Sequence, residues 1–350
     1  MMAKAADTAP APPDPRRACT LDQVLGHQAV RRYLRQAWRQ RRLPQAILLS
    51  GPEGIGKSTL AWALAREIAA DGRDPATDPK SLKVVRGVHP DMFEISGKST
   101  VSRSIVVDEI RRLEDRAMTA PLEAPRKVFV IDPADRMNTA AANALLKILE
   151  EPHARLAFVL VTSVPHRLLD TIRSRCAELR LEPVAIDELA AWLRAHRPLD
   201  EPRARLLAAL AEGRPGRALQ WADSRCLDAR RQTIDALLLF HTHGFAAVFH
   251  VADRLAGAGD SLAEGIAVAV TLLRDALVLA MRGDGALNSD LVDNLRRLSE
   301  AFPPPGLLAA AARLEAAAAE APYFYTPQAK AHFMECLATD VGKLLLTAPG

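Results

Sequence analysis

The chain has 350 residues, of which 49% are apolar and only 5% aromatic, and it carries a formal net charge of +4. This length predicts two or three domains, and the Ala- and Leu-rich, aromatic-poor composition excludes a typical β-sandwich and favours helices. The mild charge permits DNA or acidic proteins as partners and requires neither. Cys19, Cys176, Cys226 and Cys336 are too far apart for a CxxC metal cluster and too few for a disulfide framework, which indicates a reduced, cytoplasmic setting.

The N-terminal segment has the composition of a tail. Residues 1–19 are rich in Ala and Pro and contain no apolar run, so we predict disorder there and no signal peptide. No stretch of 18 apolar residues occurs, so we expect no membrane span. Order is expected from Thr20, and residues 28–41 predict an amphipathic helix whose arginines lie on a basic face. A solvated face and contacts to phosphates both remain open for those arginines.

A glycine-rich loop follows the first predicted strand. An apolar strand over 46–50 runs into Gly51-x-x-x-x-Gly56-Lys57-Ser58, and a helix is predicted over 57–70. Glycines adopt backbone conformations that let successive N–H groups converge on phosphate oxygens at a helix N-terminus, so this order predicts ATP or ADP binding, against the alternative of a simple tight turn. Lys57 would contact the β/γ-phosphates and Ser58 would hold Mg²⁺. The candidate nucleotide-binding residues here are Gly51, Gly54, Gly56, Lys57, Ser58 and Thr59.

Strand and helix patterns continue to alternate after this loop. A connection is predicted over 71–90 and a polar turn over 97–103. The further predicted elements are strands over 92–96, 127–132, 157–163 and 178–181 and helices over 107–118 and 139–151. Five strands alternating with helices predict a three-layer α/β domain over 20–184 with a mostly parallel sheet. Its ligand is expected at the carboxyl ends of the strands.

The second half of the sequence contains only helical patterns. Short helices over 187–196, 200–211 and 215–222 predict a small three-helix domain at 185–224. Long Ala/Leu-rich segments predict an all-helical domain over 225–350, in which we find no repeat typical of a solenoid.

A carboxylate ends the third predicted strand. Asp132 at the tip of a buried strand is expected to orient Mg²⁺ through its water shell, although a helix or turn cap is the alternative. ATPases of the relevant type usually place a glutamate directly after this aspartate to orient the attacking water, whereas this chain has Pro133. Asp135 is two residues further on and has a shorter reach. The sequence therefore predicts nucleotide binding without a water-orienting base of its own.

Two later motifs resemble a known family. The segments Ala141-Ala-Asn-Ala-Leu-Leu-Lys-Ile-Leu-Glu-Glu-Pro152 and Ile172-Arg-Ser-Arg-Cys176 are similar to the signature of the clamp-loader branch of AAA+ proteins. The resemblance implies a P-loop AAA+ core, a helical lid and a collar or oligomerisation domain, in a ring-like heteropentamer that places a sliding clamp on DNA. It also implies that Arg175 is an arginine finger inserted into a neighbouring subunit's ATP site; on the bare sequence, a surface ion pair explains this arginine.

Within this branch the sequence is most similar to the delta-prime family of bacterial DNA polymerase III. The motifs that carry this are Asp132-Pro-Ala-Asp135 and Gly213-Arg-Pro-Gly216-Arg-Ala-Leu219. The resemblance implies partners, namely tau/gamma-like ATPase and delta-like subunits and, through the complex, the clamp and primed DNA, with no membrane. It implies sensor roles for Thr162 and Arg217, for which a helix cap or a surface charge is the alternative. Bacterial members often carry a four-cysteine zinc module, but residues 71–90 contain no cysteine, so we predict no zinc site.

Specific motifs cover roughly residues 20–225, and the remainder is similar only in size and helical character. Two other functions stay open. An active AAA+ ATPase, either a motor subunit of the same loader or another AAA+ enzyme, is favoured by the complete loop and by Asp132. A P-loop kinase is less well supported, because the all-helical second half offers no obvious acceptor pocket.

Overall fold

The computed structural model describes residues 14–97, 104–150, 154–223, 226–259, 261–321, 324 and 326–347. Its residues group into two compact units. The first runs up to Glu188 and includes Arg214–Gly216, and the second contains Leu189–Gly213 and the chain from Arg217 onward. Most residues of the small domain predicted over 185–224 group with the C-terminal helices, and the predicted domain division stays a prediction.

The first unit is a three-layer α/β domain around a parallel sheet. Its described strands are β1 (Ala46–Ser50), β2 (Met92–Ile95), β3 (Lys127–Ile131), β4 (Leu156–Thr162) and β5 (Ala177–Arg180). They pair in the order β2-β3-β4-β1-β5, all in parallel. Strands β1, β3 and β4 are buried along their whole length, as continuous apolar strands covered on both faces should be. The predicted fold is confirmed, with strand ends shifted by at most one residue.

Helices cover both faces of this sheet and divide its core in two. The helices are α1 (Gln28–Arg39), α2 (Lys57–Ala70), α3 (Pro79–Val85), α4 (Val107–Ala117), α5 (Thr139–Glu150) and α6 (Asp170–Arg173). One core contains residues of α1 and α2 against Val128 and Val130, and the other contains residues of α4, α5 and α6 against Phe129 and Ile131. The alternation follows from the two-residue period of a strand.

Two segments differ from the sequence prediction. Residues 14–19 were assigned to the disordered tail, but Pro15–Arg17 form a 3-10 turn whose first backbone N–H groups are capped by Asp14. The connection predicted over 71–90 contains helix α3, which Asp78 caps by accepting hydrogen bonds from the next N–H groups. Most of the predicted turn over 97–103, and residues 1–13 of the tail, lie outside the described residues.

The second unit is helical throughout its described residues. Its helices are α7 (Ile186–His196, which begins in the first unit), α8 (Glu201–Leu210), α9 (Pro215–Asp223), α10 (Cys226–His243), α11 (Val248–Gly257), α12 (Leu262–Arg282), α13 (Val292–Ala301), α14 (Pro304–Glu320) and α15 (Pro327–Thr347). A 3-10 turn at Gly244–Ala247, which the sequence did not predict, separates α10 from α11.

One helical stretch among the described residues, Cys226–Gly257, is long and apolar enough to cross a membrane, with 39% of its most apolar window buried. This is weak evidence for a span, since core helices of soluble proteins pass the same test. The stretch also contains the 3-10 turn at Gly244–Ala247. The expectation of no membrane span therefore stays a prediction.

Asp91 fixes the chain before strand β3. Its side chain is fully buried and accepts hydrogen bonds of 2.7–2.8 Å from the backbone N–H groups of Leu122, Glu123 and Ala124. Burial alone would raise the pKa of Asp91, but these three donors favour the carboxylate, and the net result is a lowered pKa. The carboxylate form thus stabilises the fold.

We expect Asp91→Asn to lower the unfolding free energy by about 2 kcal/mol at neutral pH, because a charge-assisted acceptor becomes a neutral one. Because the folded-state pKa is lowered, this stabilisation is present above the unfolded pKa and is lost as pH falls through the folded one, so the deficit should shrink near roughly pH 3. Urea denaturation with hydrogen exchange of the β3 peptide measures it, with the exposed Asp115→Asn as control. If Asp91→Asn lowered the unfolding free energy equally at neutral pH and near roughly pH 3, the stabilising role of the Asp91 carboxylate would be refuted.

Candidate nucleotide-binding site

The phosphate loop, residues 51–58, lies between β1 and α2 at the carboxyl edge of the sheet. Its glycines have positive φ angles of 144°, 78° and 104° at Gly51, Gly54 and Gly56. A Cβ on Gly51 would lie 2.5 Å from the Leu181 carbonyl oxygen, so a side chain is excluded there, whereas a Cβ on Gly56 would meet nothing within 4 Å. Gly56 also precedes the first residue of α2. The loop backbone therefore has the conformation and the helix N-terminus that a phosphate cradle needs.

Lys57 is held inside the loop. Its side-chain Nζ donates to the carbonyl oxygens of Gly51 at 2.7 Å and Pro52 at 2.8 Å, and to Ser163 Oγ at 2.8 Å. The residue is only 6% exposed. Burial lowers the pKa of Lys57 to about 8, although nearby carboxylates, first that of Asp132, oppose the shift. Charge on this ammonium would be favoured further by a phosphate placed against it.

Ser58 and Asp132 are in contact. Ser58 Oγ donates to Asp132 Oδ2 at 2.5 Å, and the Asp132 side chain is 14% exposed. Burial raises the pKa of Asp132, while the Ser58 hydrogen bond and the Arg16 guanidinium oppose this. A hydroxyl and a carboxylate are the hard oxygen ligands that Mg²⁺ prefers, so this pair fits the ion that accompanies a nucleotide. Phosphate and water oxygens would supply the remaining ligands.

The described residues hold no other cluster of metal-binding side chains. Across the described ranges no group of three or more His, Cys, Asp or Glu side chains converges on one point. The four cysteines, all within the described ranges, form no disulfide bond. The prediction that zinc is absent stays a prediction.

Two adjacent residues at the end of β4, Thr162 and Ser163, have side chains that make different contacts. Thr162 is fully buried, and its Oγ1 donates to Asp135 Oδ1 at 2.6 Å. The side chain that contacts Lys57 is that of Ser163, one residue later. Successive strand residues point to opposite faces, so only one of the two can face the loop lysine. Sequence reasoning named Thr162 and missed Ser163.

Two residues before the loop also belong to the site and were not predicted. His27 has a left-handed backbone with φ of 52°, and its Nε2 lies 3.1 Å from the carbonyl oxygen of Ile55 in the loop. Burial lowers the pKa of His27. Arg16 Nη1 lies 3.5 Å from Asp132 Oδ2. Neither residue has a sequence signal beyond its general chemistry, because both contacts are made across the fold.

The Gly213-Arg-Pro-Gly216 motif divides between the two units. Gly216 N donates to the Gly54 carbonyl oxygen at 2.8 Å, and a Cβ on Gly216 would lie 3.0 Å from that oxygen. The glycine is therefore needed for close contact with the phosphate loop. The predicted sensor Arg217 belongs to the second unit, where its guanidinium lies over the Trp221 ring at 4.6 Å from the centroid.

Arg175 lies at the surface, in the segment between α6 and β5. Its side chain is 36% exposed. Nη2 donates to Glu150 Oε1 at 2.7 Å, and Nη1 donates to the Thr171 carbonyl oxygen at 2.9 Å. The structure thus brings together Lys57, Ser58 and Asp132, and it places Arg175 in an exposed ion pair.

A family model and curated relatives match the α/β unit. The model described as "DNA polymerase III, delta subunit" matches residues 26–185. The delta-prime subunit of DNA polymerase III from Pseudomonas aeruginosa is 41% identical over 138 residues, 38% of this chain and 42% of the relative. The tau subunit from Bacillus subtilis is 34% identical over 159 residues, 44% of this chain and 28% of the relative. Residues 26–185 are thus similar in sequence to clamp-loader subunits of DNA polymerase III.

The matched region accounts for less than half of the chain, and it spans less than half the length of these curated relatives. Among solved structures, a gamma-subunit-related protein of DNA polymerase III from Thermotoga maritima matches at 18% identity with a TM-score of 0.44. That match covers 88% of this chain and 99% of the other.

Proposed function

We propose that this chain is a delta-prime-like subunit of the bacterial DNA polymerase III clamp loader. In this role it supports ATP-driven loading of the sliding clamp on primed DNA, in the cytoplasm, beside tau/gamma-like ATPase and delta-like subunits. It holds ATP or ADP in its own phosphate loop without efficient hydrolysis. Arg175 completes the ATP site of a neighbouring ATPase subunit.

The observation that carries the proposal is a complete phosphate loop beside an incomplete hydrolytic site. Lys57, Ser58 and Asp132 stand together as nucleotide and magnesium ligands would. Pro133 follows Asp132 and has no group that can accept a proton. Asp135, the nearest alternative base in sequence, accepts a 2.6 Å hydrogen bond from Thr162 and so serves a structural contact.

Surface exposure supports the role of Arg175. An arginine that acts on a neighbouring subunit must reach beyond its own domain. Among the residues that the structure describes, Arg175 is held at the surface by Glu150 and by a backbone carbonyl on its own turn. An exposed ion pair of this kind is worth roughly 0–1 kcal/mol, so a neighbour's phosphate can displace Glu150 at little cost.

The proposal is tested by reconstitution. The purified chain should assemble with tau/gamma-like and delta-like subunits and should restore clamp loading on primed DNA to a mixture that lacks it. Nucleotide should bind the isolated chain, while steady-state hydrolysis stays at background. Absence of assembly in a mixture whose other subunits are competent would refute the clamp-loader role.

An active ATPase remains the second candidate, because the loop and Asp132 are complete. It predicts turnover by the isolated chain at an ordinary enzymatic rate, abolished by Lys57→Ala. Steady-state hydrolysis by the isolated chain and by this variant separates the two functions.

A further inference from the structure

A 3-10 turn near the N-terminus lies against the predicted magnesium carboxylate. Arg16 in this turn bonds to three carboxylates: Nε and Nη2 donate to Asp14, Nη2 donates to Glu94 Oε1 at 3.0 Å, and Nη1 lies 3.5 Å from Asp132 Oδ2. The side chains of Glu94 and Asp132 are only 13% and 14% exposed. Arg16 is thus a counter-ion to two largely buried carboxylates, which distinguishes it from an exposed surface pair.

The turn is fixed by contacts that do not involve Arg16. Arg17 Nη2 donates to Glu94 Oε2 at 2.6 Å, and its guanidinium lies 4.1 Å from the centroid of the buried Trp62 ring on α2. Further along, the carbonyl oxygen of Ala18 accepts a hydrogen bond from Arg66. These contacts attach the turn to both β2 and α2. The position of Arg16 follows from the fold of this segment.

Among the described residues, Asp132 Oδ2 has two partners, the Ser58 hydroxyl and the Arg16 guanidinium. A hydrated Mg²⁺ at the same oxygen would bring two positive charges beside Arg16, and like charges at such a distance repel strongly where water is partly excluded. The guanidinium is permanently charged and cannot escape this repulsion by losing a proton. The Arg16 guanidinium thus already supplies a positive charge beside the Asp132 carboxylate.

We propose that Arg16 is a built-in cation that replaces magnesium at Asp132. The phosphate loop then binds nucleotide with little dependence on Mg²⁺, and the Pro15–Arg17 turn keeps the ion from Asp132. The inference rests on the proposed nucleotide binding. It adds that metal-free nucleotide binds to the loop about as well as the magnesium complex of the nucleotide does. It also adds a second reason for weak hydrolysis, since the metal that neutralises developing charge is kept out.

The test compares nucleotide affinity in excess magnesium and in EDTA, using a fluorescent ADP analogue and the full chain. Wild type should show affinities within about threefold in the two buffers, whereas in Arg16→Gln magnesium should tighten binding about tenfold, equivalent to about 1.4 kcal/mol. Arg16→Lys retains a cation and should keep the wild-type ratio. Arg111→Gln, an exposed arginine of α4, is the matched control. An equal magnesium ratio in wild type and Arg16→Gln overturns the inference.

Two further measurements test the role of Arg16 if the first experiment cannot be carried out. If Arg16→Gln folds poorly, Asp14→Asn removes the strongest tether of Arg16 and should give an intermediate magnesium ratio; a wild-type ratio overturns the inference. If no variant binds nucleotide, the proposed nucleotide binding fails, and Mn²⁺ titration by electron paramagnetic resonance still tests Arg16. Arg16→Gln should then gain a bound ion that the added Asp132→Asn change removes, and no gain overturns the inference.

Discussion

Replacing Arg175 with alanine in a reconstituted loader is expected to lower ATP hydrolysis by roughly 10³-fold at the one ATP site that this arginine serves. In a single-turnover experiment with clamp and primed DNA, the burst of phosphate should lose one site's share of its amplitude, and clamp loading should slow. The physical reason is that a guanidinium contributes most where charge develops on the transferred phosphoryl group, in a site closed to water.

Loss of folding stability in Arg175→Ala is not expected to explain the lower rate of hydrolysis. Arg175 is 36% exposed, and loss of its Glu150 ion pair costs roughly 0–1 kcal/mol. Glu150→Gln removes the same pair and leaves the arginine in place, so it should keep the burst. Arg167→Ala, an exposed arginine between β4 and α6, serves as a second control. An unchanged burst amplitude with Arg175→Ala would exclude the trans role.

Lys57→Ala should weaken nucleotide binding by the isolated chain about 100-fold, which corresponds to about 3 kcal/mol. The variant removes the charged donor nearest to the expected phosphate position. It also leaves two loop carbonyls and Ser163 without their lysine hydrogen bonds. Equilibrium titration with a fluorescent ADP analogue measures the loss. Lys343→Ala, an exposed lysine of α15, is the control and should bind as wild type does.

The Lys57→Ala variant also distinguishes nucleotide binding by this chain from nucleotide hydrolysis. In the assembled loader, Lys57→Ala should leave the phosphate burst close to wild type, in contrast to Arg175→Ala, because hydrolysis occurs on neighbouring subunits. A burst reduced as far as in Arg175→Ala would instead assign hydrolysis to this chain. Unchanged nucleotide affinity in the isolated variant would show that the loop does not bind phosphate.

Periodic segments of the α/β unit were predicted closely from the sequence. Helix α2 and strand β1 have their predicted bounds, because the apolar run and the glycines mark both ends locally. Helix α3 was missed, since its seven residues carry little periodicity and its signal is the Asp78-Pro79 start. The 3-10 turn at Gly244–Ala247 was missed because apolar residues continue through it on both sides.

Residues of the candidate site likewise differ in whether a local sequence signal marks them. Lys57, Ser58 and Asp132 were predicted because motif spacing and strand ends fix them locally. Arg16 and Ser163 were not, since their roles depend on which segments the fold brings together. Arg16 reaches a carboxylate 116 residues away in the chain, and Ser163 is selected over Thr162 only by the direction of one strand side chain. Such long-range contacts leave no periodic signal in one sequence.

Trp62 gives the N-terminal turn an optical signature. Its indole ring is fully buried on α2, directly under the Arg17 guanidinium, and its N–H has no hydrogen-bond partner within the described part of the chain. A cation moving on or off an indole changes the electric field along the ring, and with it the emission. With the other three tryptophans replaced by phenylalanine, intrinsic fluorescence would record in real time whether the turn stays docked when nucleotide or a neighbouring subunit arrives.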